Sequence, residues 1–239
     1  MIKIQSFGAN LFRLCYHWMK LRLQPSGQSD EANLVKKLAG SKKTFVEFGF
    51  HPTQFNCIGL IKTHRGLLID GDRRRATLGN KLLPSSIEVR SEFLNLDNID
   101  AVGSHFPEVG VLSIDVDGND YWFLERLLPI SPELICVEYN ASFGHESVTV
   151  PYDPAFMRHT KHSSGWYHGA SLVALAKLCA GFGYGLAAVS AGGGNAFFTR
   201  SGSLDAQTAF RECTLRNALS KTSAKQQWET IRHLSLIKV

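Results

Sequence analysis

The chain has 239 residues, 44% of them hydrophobic and 20% charged, with a formal net charge of +5. That apolar share at this length builds a full core and excludes an extended disordered protein, while the small basic excess forms no long run and no nucleic-acid partner is expected. The cysteines Cys15, Cys57, Cys136, Cys179 and Cys213 are scattered, odd in number and without C-x-x-C spacing, which suggests neither a disulfide framework nor a zinc site and points to a reducing compartment.

Ile4, Phe7, Leu11, Leu14, Trp18 and Leu21 recur at three- and four-residue spacing, so they share one stripe of a helix, with Lys3, Arg13, Lys20 and Arg22 off it. A basic amphipathic helix over residues 1–24 has three readings: packing on its own domain, pairing in a homo-oligomer, and peripheral contact with an anionic membrane. Its charges interrupt what would be a signal-peptide core, and no run in the chain reaches the roughly 18–20 apolar residues of a membrane span. The expectation is a cytoplasmic protein, with this helix as its one candidate for membrane association. Pro25, Ser26 and Gly27 break the pattern, and Ser29 or Asp30 is placed to cap a second helix through Leu38, closed by Gly40.

Residues 44–49, Thr-Phe-Val-Glu-Phe-Gly, read as a strand running into a turn, followed by a helical pattern through Phe55, Ile58 and Ile61. Residues 66–72, Gly-Leu-Leu-Ile-Asp-Gly-Asp, form a second strand. Its acids come about twenty residues after the first turn, the spacing at which a nucleoside-binding βαβ unit offers a carboxylate to ribose hydroxyls. Residues 87–90 make a third strand, with a loop and short helix from Phe93 to Ile99. Residues 111–122, Val-Leu-Ser-Ile-Asp-Val-Asp-Gly-Asn-Asp-Tyr-Trp, read as a buried strand that delivers Asp115, Asp117, Asn119 and Asp120 to its C-terminal end, with a helix from Tyr121 to Leu128. A calcium loop is excluded there, because the glycine comes in the wrong place and Arg126 stands where a bidentate glutamate is needed. Residues 134–140 are a fifth strand finishing in Glu138 and Asn140.

Residues 141–168 form a long polar and aromatic loop carrying His145, His159, His162 and His168, and loops of this length are commonly lids or specificity elements. A helix from Gly169 to Gly181 follows, then two strands at 184–189 and 195–199 joined around Gly192, and a helical cover over 206–231. Strands alternating with helices make a doubly wound, mostly parallel sheet. In such a sheet Glu47, Asp70 or Asp72, Asp115 with Asp117, and Glu138 with Asn140 come from four strand ends that face one crevice.

The pieces Val-Glu-Phe-Gly (46–49), Gly-Leu-Leu-Ile-Asp-Gly-Asp (66–72), Leu-Ser-Ile-Asp-Val-Asp-Gly-Asn-Asp-Tyr-Trp (112–122), Val-Glu-Tyr-Asn (137–140) and Asn-Ala-Phe-Phe (195–198) together resemble class I S-adenosylmethionine-dependent methyltransferases, specifically their FkbM-like branch. The resemblance spans residues 28–200. It implies a Rossmann-like seven-stranded sheet with its last strand antiparallel. With the helical patterns at both ends, the chain divides into N-terminal amphipathic helices over 1–40, a methyltransferase domain over 41–205 with an acceptor loop at 141–168, and a C-terminal helical extension of the same domain over 206–239. The resemblance also implies S-adenosyl-L-methionine as cofactor, with Glu47 and Gly49 beside its methionine and ribose, Asp70 and Asp72 at the ribose hydroxyls, Phe93 against the adenine and Asp115 nearest the sulfonium. Phe50-His51-Pro52 after Gly49 depart from the superfamily's fuller glycine pattern.

Methyl transfer is an in-line displacement that depends on alignment, and a sugar hydroxyl must also lose its proton to a base or to a cation-lowered pKa. The catalytic candidates are Asp115, Asp117, Glu138 and His168, with His168 preferred as base and Glu138 second. Asp115, Asp117, Glu138 and Asn140 offer the oxygen ligands that Mg²⁺ takes, an arrangement similar to that of metal-dependent O-methyltransferases. The alternative for Asp117 and Asn119 is capping of the next helix. Tyr139, Tyr152, Trp166 and Tyr167 are candidates for an acceptor wall or for the loop's own packing. The expected function is O-methylation of a hydroxyl on a carbohydrate or glycoconjugate, with metal assistance as an option. The alternatives are methylation of a small natural product and a non-catalytic glycan or nucleic-acid binding module on the same fold.

Overall fold

In the computed structural model the described residues are 29–239 and, ahead of them, Met19. The expectations attached to the helix over residues 1–24 therefore lie outside the described residues, apart from Met19, which is helical and exposed. In chain order the elements are α1 (Glu31–Leu38), β1 (Thr44–Phe48), β2 (Arg65–Asp70), α2 (Arg73–Leu82), β3 (Ile87–Ser91), α3 (Ile99–Gly103), β4 (Val111–Ile114), α4 (Asp120–Leu127) and β5 (Leu134–Glu138). They continue with β6 (Val148–Thr149), α5 (Arg158–Lys161), α6 (Leu172–Gly181), β7 (Gly185–Val189), β8 (Asn195–Thr199), α7 (Ala206–Ala209), α8 (Thr214–Ser220), α9 (Ala224–Ile231) and β9 (Ile237–Lys238).

The main sheet has seven strands in the order β3-β2-β1-β4-β5-β8-β7. β8 is antiparallel to both of its neighbours, β5 and β7, and the other pairings are parallel. This is a doubly wound, mostly parallel seven-stranded sheet whose last strand in sequence, β8, is antiparallel, as expected.

Side-chain alternation along the strands explains the two layers of helix. Val46, Phe48, Leu67, Ile69, Leu112, Ile114, Ile135 and Val137 face one core, shared with Ile99 and Val102 of α3, Phe123 and Leu124 of α4, and Leu172 and Leu175 of α6. The intervening Phe45, Leu68, Val111, Leu134 and Cys136 face the other, closed by Val35 of α1, Ala76 of α2 and a 3-10 stretch, Asn56–Leu60. Buried on both faces, the central strands read in sequence as nearly continuous apolar runs, broken only by Glu47 in β1 and Ser113 in β4. A smaller cluster of Phe143, Val148, Val150, Phe156, Tyr167 and Ile231 ties the loop after β5 to α9.

Several expected boundaries moved. The helical pattern after Gly49 is the 3-10 stretch rather than an α-helix, because its apolar residues fit a tight turn under α1. α1 begins after Asp30, but the Asp30 carboxylate leaves its own helix and accepts the Ala191 N–H at 2.8 Å, pinning α1 to the β7–β8 hairpin. The helical tail is three short helices, followed by β9, which the sequence reading missed and which pairs with β6 inside the long loop. Among the described residues no helix is long and apolar enough to cross a membrane.

Candidate active site

Register brings the strand ends together. Phe48 pairs with both Ile69 and Ile114, and Ile114 with Val137, so Gly49, Asp70, Asp115 and Glu138 leave the sheet side by side. All four line one cavity of about 1150 Å³ at the C-terminal edge of the parallel strands, where open α/β sheets bind ligands. Gly49 has φ +73°, and a Cβ there would stand 1.6 Å from the Asp115 carbonyl oxygen, so the turn closes only on glycine. Glu47 is buried, and both of its oxygens are engaged, accepting the Asn56 N–H at 2.7 Å and the Cys57 N–H at 2.8 Å. Burial pushes its carboxyl up to about 7 against the pull of those two N–H groups. It lines the cavity as the cap of the 3-10 stretch.

At the end of β2, the Asp70 carboxylate accepts the Asp72 N–H at 2.6 Å and the Arg75 guanidinium at 3.0 Å. Asp72 is the N-cap of α2, accepting the Arg74 N–H. The Phe93 ring, half exposed, lies against Gly71 between these two acids. Asp70, Asp72, Arg75 and Phe93 thus form one end of the cavity.

The loop after β4 is folded by Asp120, fully buried at the start of α4, whose carboxylate accepts the N–H groups of Val116 and Gly118, both at 2.9 Å. Burial, then the nearby Glu138 charge, pushes Asp120 up to about 7. Asp115 is raised well above the usual carboxylate range by burial, Glu138, Asp117 and Asp120. Neither Asp117 nor Asn119 caps α4. Asp117, at φ +58°, reaches out to the Arg158 guanidinium at 2.5 Å, and the Asn119 amide exchanges two hydrogen bonds with the backbone of Asp153. Both therefore bind the long loop down over the strand ends.

Glu138 forms the floor of the other end. Burial acts to raise its carboxyl, but His168 and the guanidinium groups of Arg158 and Arg216 outweigh it and hold it down at about 2. Glu138 Oε1 lies 3.7 Å from His168 Nε2 and 3.9 Å from Arg216 Nη2, while Oε2 is buried with no hydrogen-bond partner among the described residues. Arg216, from α8, crosses behind it to the Asn140 amide oxygen at 2.8 Å, Ser142 Oγ at 3.2 Å and His168 Nε2 at 3.2 Å. His168 is completely buried and its pKa is lowered by that burial, so it stands neutral behind Glu138 and is not a wall of the cavity.

Of the expected acceptor wall, Trp166 lines the cavity and three tyrosines do not. The Tyr139 hydroxyl donates to the Arg211 carbonyl at 2.6 Å, that of Tyr152 accepts the Leu96 N–H at 3.0 Å, and that of Tyr167 donates to the Ser235 carbonyl. Their hydroxyls are satisfied within the fold, so these rings serve packing. His159 lines the cavity, whereas His145 packs on Phe210 and His162 pairs with Ser164. Arg158 and Arg216 were not singled out from sequence, and Asp120 was named there only as one of the strand-end acids, without its role in folding the loop. Asp120 sits in the quoted acidic motif, but the two arginines come from a short loop helix and the tail, where no spacing marks them.

The metal set expected from sequence does not assemble, because Asn140 spends its amide oxygen on the Ser142 N–H and Arg216. Asp117, Glu138 and His168 do bring ligand atoms within 4.8 Å of one another. Two guanidinium groups already stand among them, Arg158 on Asp117 and Arg216 against His168 and Glu138. A divalent ion there would face two fixed cations at short range, and these residues do not fit a resident Mg²⁺.

No protein-family model matches the chain, and no curated protein does. Solved structures do match. A TehB-like SAM-dependent methyltransferase from Corynebacterium glutamicum is 12% identical with a TM-score of 0.42, the match covering 80% of this chain and 98% of that one. The N-terminal domain of EvdMO1 with SAH bound is 9% identical with a TM-score of 0.48, covering 78% and 94%. The plantazolicin methyltransferase BamL, in complex with a triazolic desmethylPZN analog and SAH, is 10% identical with a TM-score of 0.44, covering 92% and 82%. At these identities the likeness is one of fold.

Proposed function

We propose that the protein is an S-adenosylmethionine-dependent O-methyltransferase acting on a hydroxyl of a carbohydrate or glycoconjugate, in keeping with the FkbM-like pieces of its sequence. The observation that carries this reading is the convergence of Gly49, Asp70, Asp115 and Glu138 on one cavity at adjacent strand ends of this sheet. In the proposed arrangement the donor lies across β1, β2 and β4. Asp70 accepts from the ribose hydroxyls with its remaining lone pairs, Phe93 flanks the adenine, and Asp115 faces the sulfonium.

The acceptor hydroxyl then meets Glu138. As its oxygen attacks the methyl carbon, the C–S bond breaks, sulfur takes the electron pair and positive charge passes to the acceptor oxygen. The proton on that oxygen becomes strongly acidic as the new bond forms, so a carboxylate as weakly basic as Glu138 can accept it. A fixed negative charge where positive charge develops also lowers the barrier. The Glu138 carboxylate, which lines the cavity, is the acceptor for that proton. Arg216 and His168 position Glu138 from behind, and no step passes through a metal.

Calorimetric titration with S-adenosylhomocysteine in the presence of EDTA tests the donor site without knowledge of the acceptor. The wild-type protein is expected to bind, and Asp70→Ala to bind at least ~10-fold more weakly, the loss of a charged hydrogen bond. Unchanged affinity in a folded Asp70→Ala would remove the ribose assignment, and restoration of binding only by Mg²⁺ would reinstate a metal.

A further inference from the structure

Large apolar side chains are left to solvent at the mouth of this cavity. Leu215 is 58%, Leu219 77% and Met157 58% exposed, and all three line it. Leu215 and Leu219 lie four residues apart on one face of α8, beside Arg216, whose head reaches down to His168 and Glu138. Met157 immediately precedes Arg158, which holds Asp117. The same two elements therefore supply an ionised floor and an apolar rim.

The cavity, at about 1150 Å³, exceeds the roughly 300–1,000 Å³ of a single small-ligand site, so a donor along β1 and β2 leaves room for a second molecule. The charges of the floor are paired, Asp117 with Arg158 and Glu138 with Arg216. These two pairs carry no net charge between them, and exposed apolar surface continuous with a ligand cavity is a binding surface.

Resting on the methyltransferase reading, we propose that the acceptor is amphipathic: its hydroxyl-bearing end reaches Glu138, and an attached apolar portion several carbons long lies on Met157, Leu215 and Leu219. The floor selects the hydroxyl, and the rim supplies affinity that grows with apolar length.

The test is titration of the full-length protein, saturated with S-adenosylhomocysteine, with methyl β-D-glucopyranoside and with n-octyl β-D-glucopyranoside below its micellar concentration. The octyl glycoside is expected to bind at least ~50-fold more tightly, the equivalent of about three buried methylenes. Leu215→Gln/Leu219→Gln, at two exposed positions that folding does not need, is expected to cut that preference below ~5-fold, with S-adenosylhomocysteine affinity unchanged. Equal affinities for the two glycosides, or a preference that survives both substitutions, would overturn the proposal. So would a wild-type dimer that the double variant converts to a monomer in sedimentation, which would assign the leucines to a second copy of the chain. Failure of S-adenosylhomocysteine to bind the wild type sinks the methyltransferase reading, and this proposal with it; binding without a chain-length preference sinks this proposal alone.

Discussion

Two residues at the strand ends meet opposite physical demands. Gly49 must be small, since its left-handed backbone brings it against the Asp115 carbonyl, and a side chain cannot be relieved by a rotamer change when the obstacle is backbone. Gly49→Ala is expected to cost at least ~3 kcal/mol, more than a left-handed alanine alone, because β1 and β4 must part. Chemical denaturation would show it as a lower midpoint, and a shift under ~1 kcal/mol would mean the turn relaxes freely. Glu138 must instead be charged. Glu138→Gln keeps its shape and loses the anion, so the expected result is a kcat lower by roughly 10²–10⁴ with S-adenosylhomocysteine affinity retained. An unaltered kcat would move the proton to another acceptor.

At the scale of elements, the long loop after β5 is a strapped cover. Arg158 bonds Asp117 on one side and the Gly165 carbonyl, at 2.6 Å, on the other; Asn119 holds Asp153; the Phe156 ring packs on Gly118; Trp122 donates to the Val150 carbonyl at 2.9 Å. Arg158→Ala removes the one strap whose partner, Asp117, is itself held in a left-handed conformation. Hydrogen exchange over residues 151–168 should quicken and the acceptor KM rise by about tenfold, with donor affinity constant. Exchange that stays slow would show that the remaining contacts suffice. Strands and strap differ in how far they are legible in the chain. β1, β2, β4 and β5 announce themselves as apolar runs ending in acids, because a strand buried on both faces has no polar alternation to confuse it. The order of strand ends follows from topology, so Asp70, Asp115 and Glu138 could be gathered from sequence. Arg158 and Arg216 could not, since each comes from an element of seven residues or fewer whose place is set by tertiary contacts. Tyr139, Tyr152 and Tyr167 misled for the converse reason: sequence shows an aromatic ring but not the backbone group that takes its hydroxyl.

For the whole molecule, gathering acids at one sheet edge makes stability depend on pH with a sign that can be worked out. Glu47 moves from an ordinary 4.5 to about 7, and Asp120 from 3.8 to about 7, both chiefly by burial. An unfolded chain would release those two protons near pH 4, whereas the folded one keeps them until near 7. Between these values the folded state holds more protons, so stability is greatest at the acid side of the window and falls as pH rises through 7. Glu138 runs the other way, but with a folded value of about 2 its contribution is complete above pH 4.5 and is lost only towards pH 2; the groups that oppose the fall are His64, His105 and His168, each lowered chiefly by burial, and they do so only up to their ordinary 6.5. Glu47 alone, moved up by burial from 4.5 to about 7, accounts for a loss on the order of 3 kcal/mol, which calorimetry at pH 5, 6, 7 and 8 would register as a melting temperature falling by several degrees. A profile that shows no fall above pH 6.5, where the histidines no longer contribute, would mean that these acids are already ionised in the fold. The two forms of the proposed cofactor then separate the proposed donor site from the rest of the edge. S-adenosylmethionine brings a positive sulfur and S-adenosylhomocysteine a neutral one, and Asp115 is the acid proposed to face it, its own carboxyl raised by burial and by its neighbours. Saturating S-adenosylmethionine should release a proton from Asp115 and flatten the fall with pH, while the product leaves the slope as it was. Equal slopes with both ligands would take Asp115 away from the sulfonium.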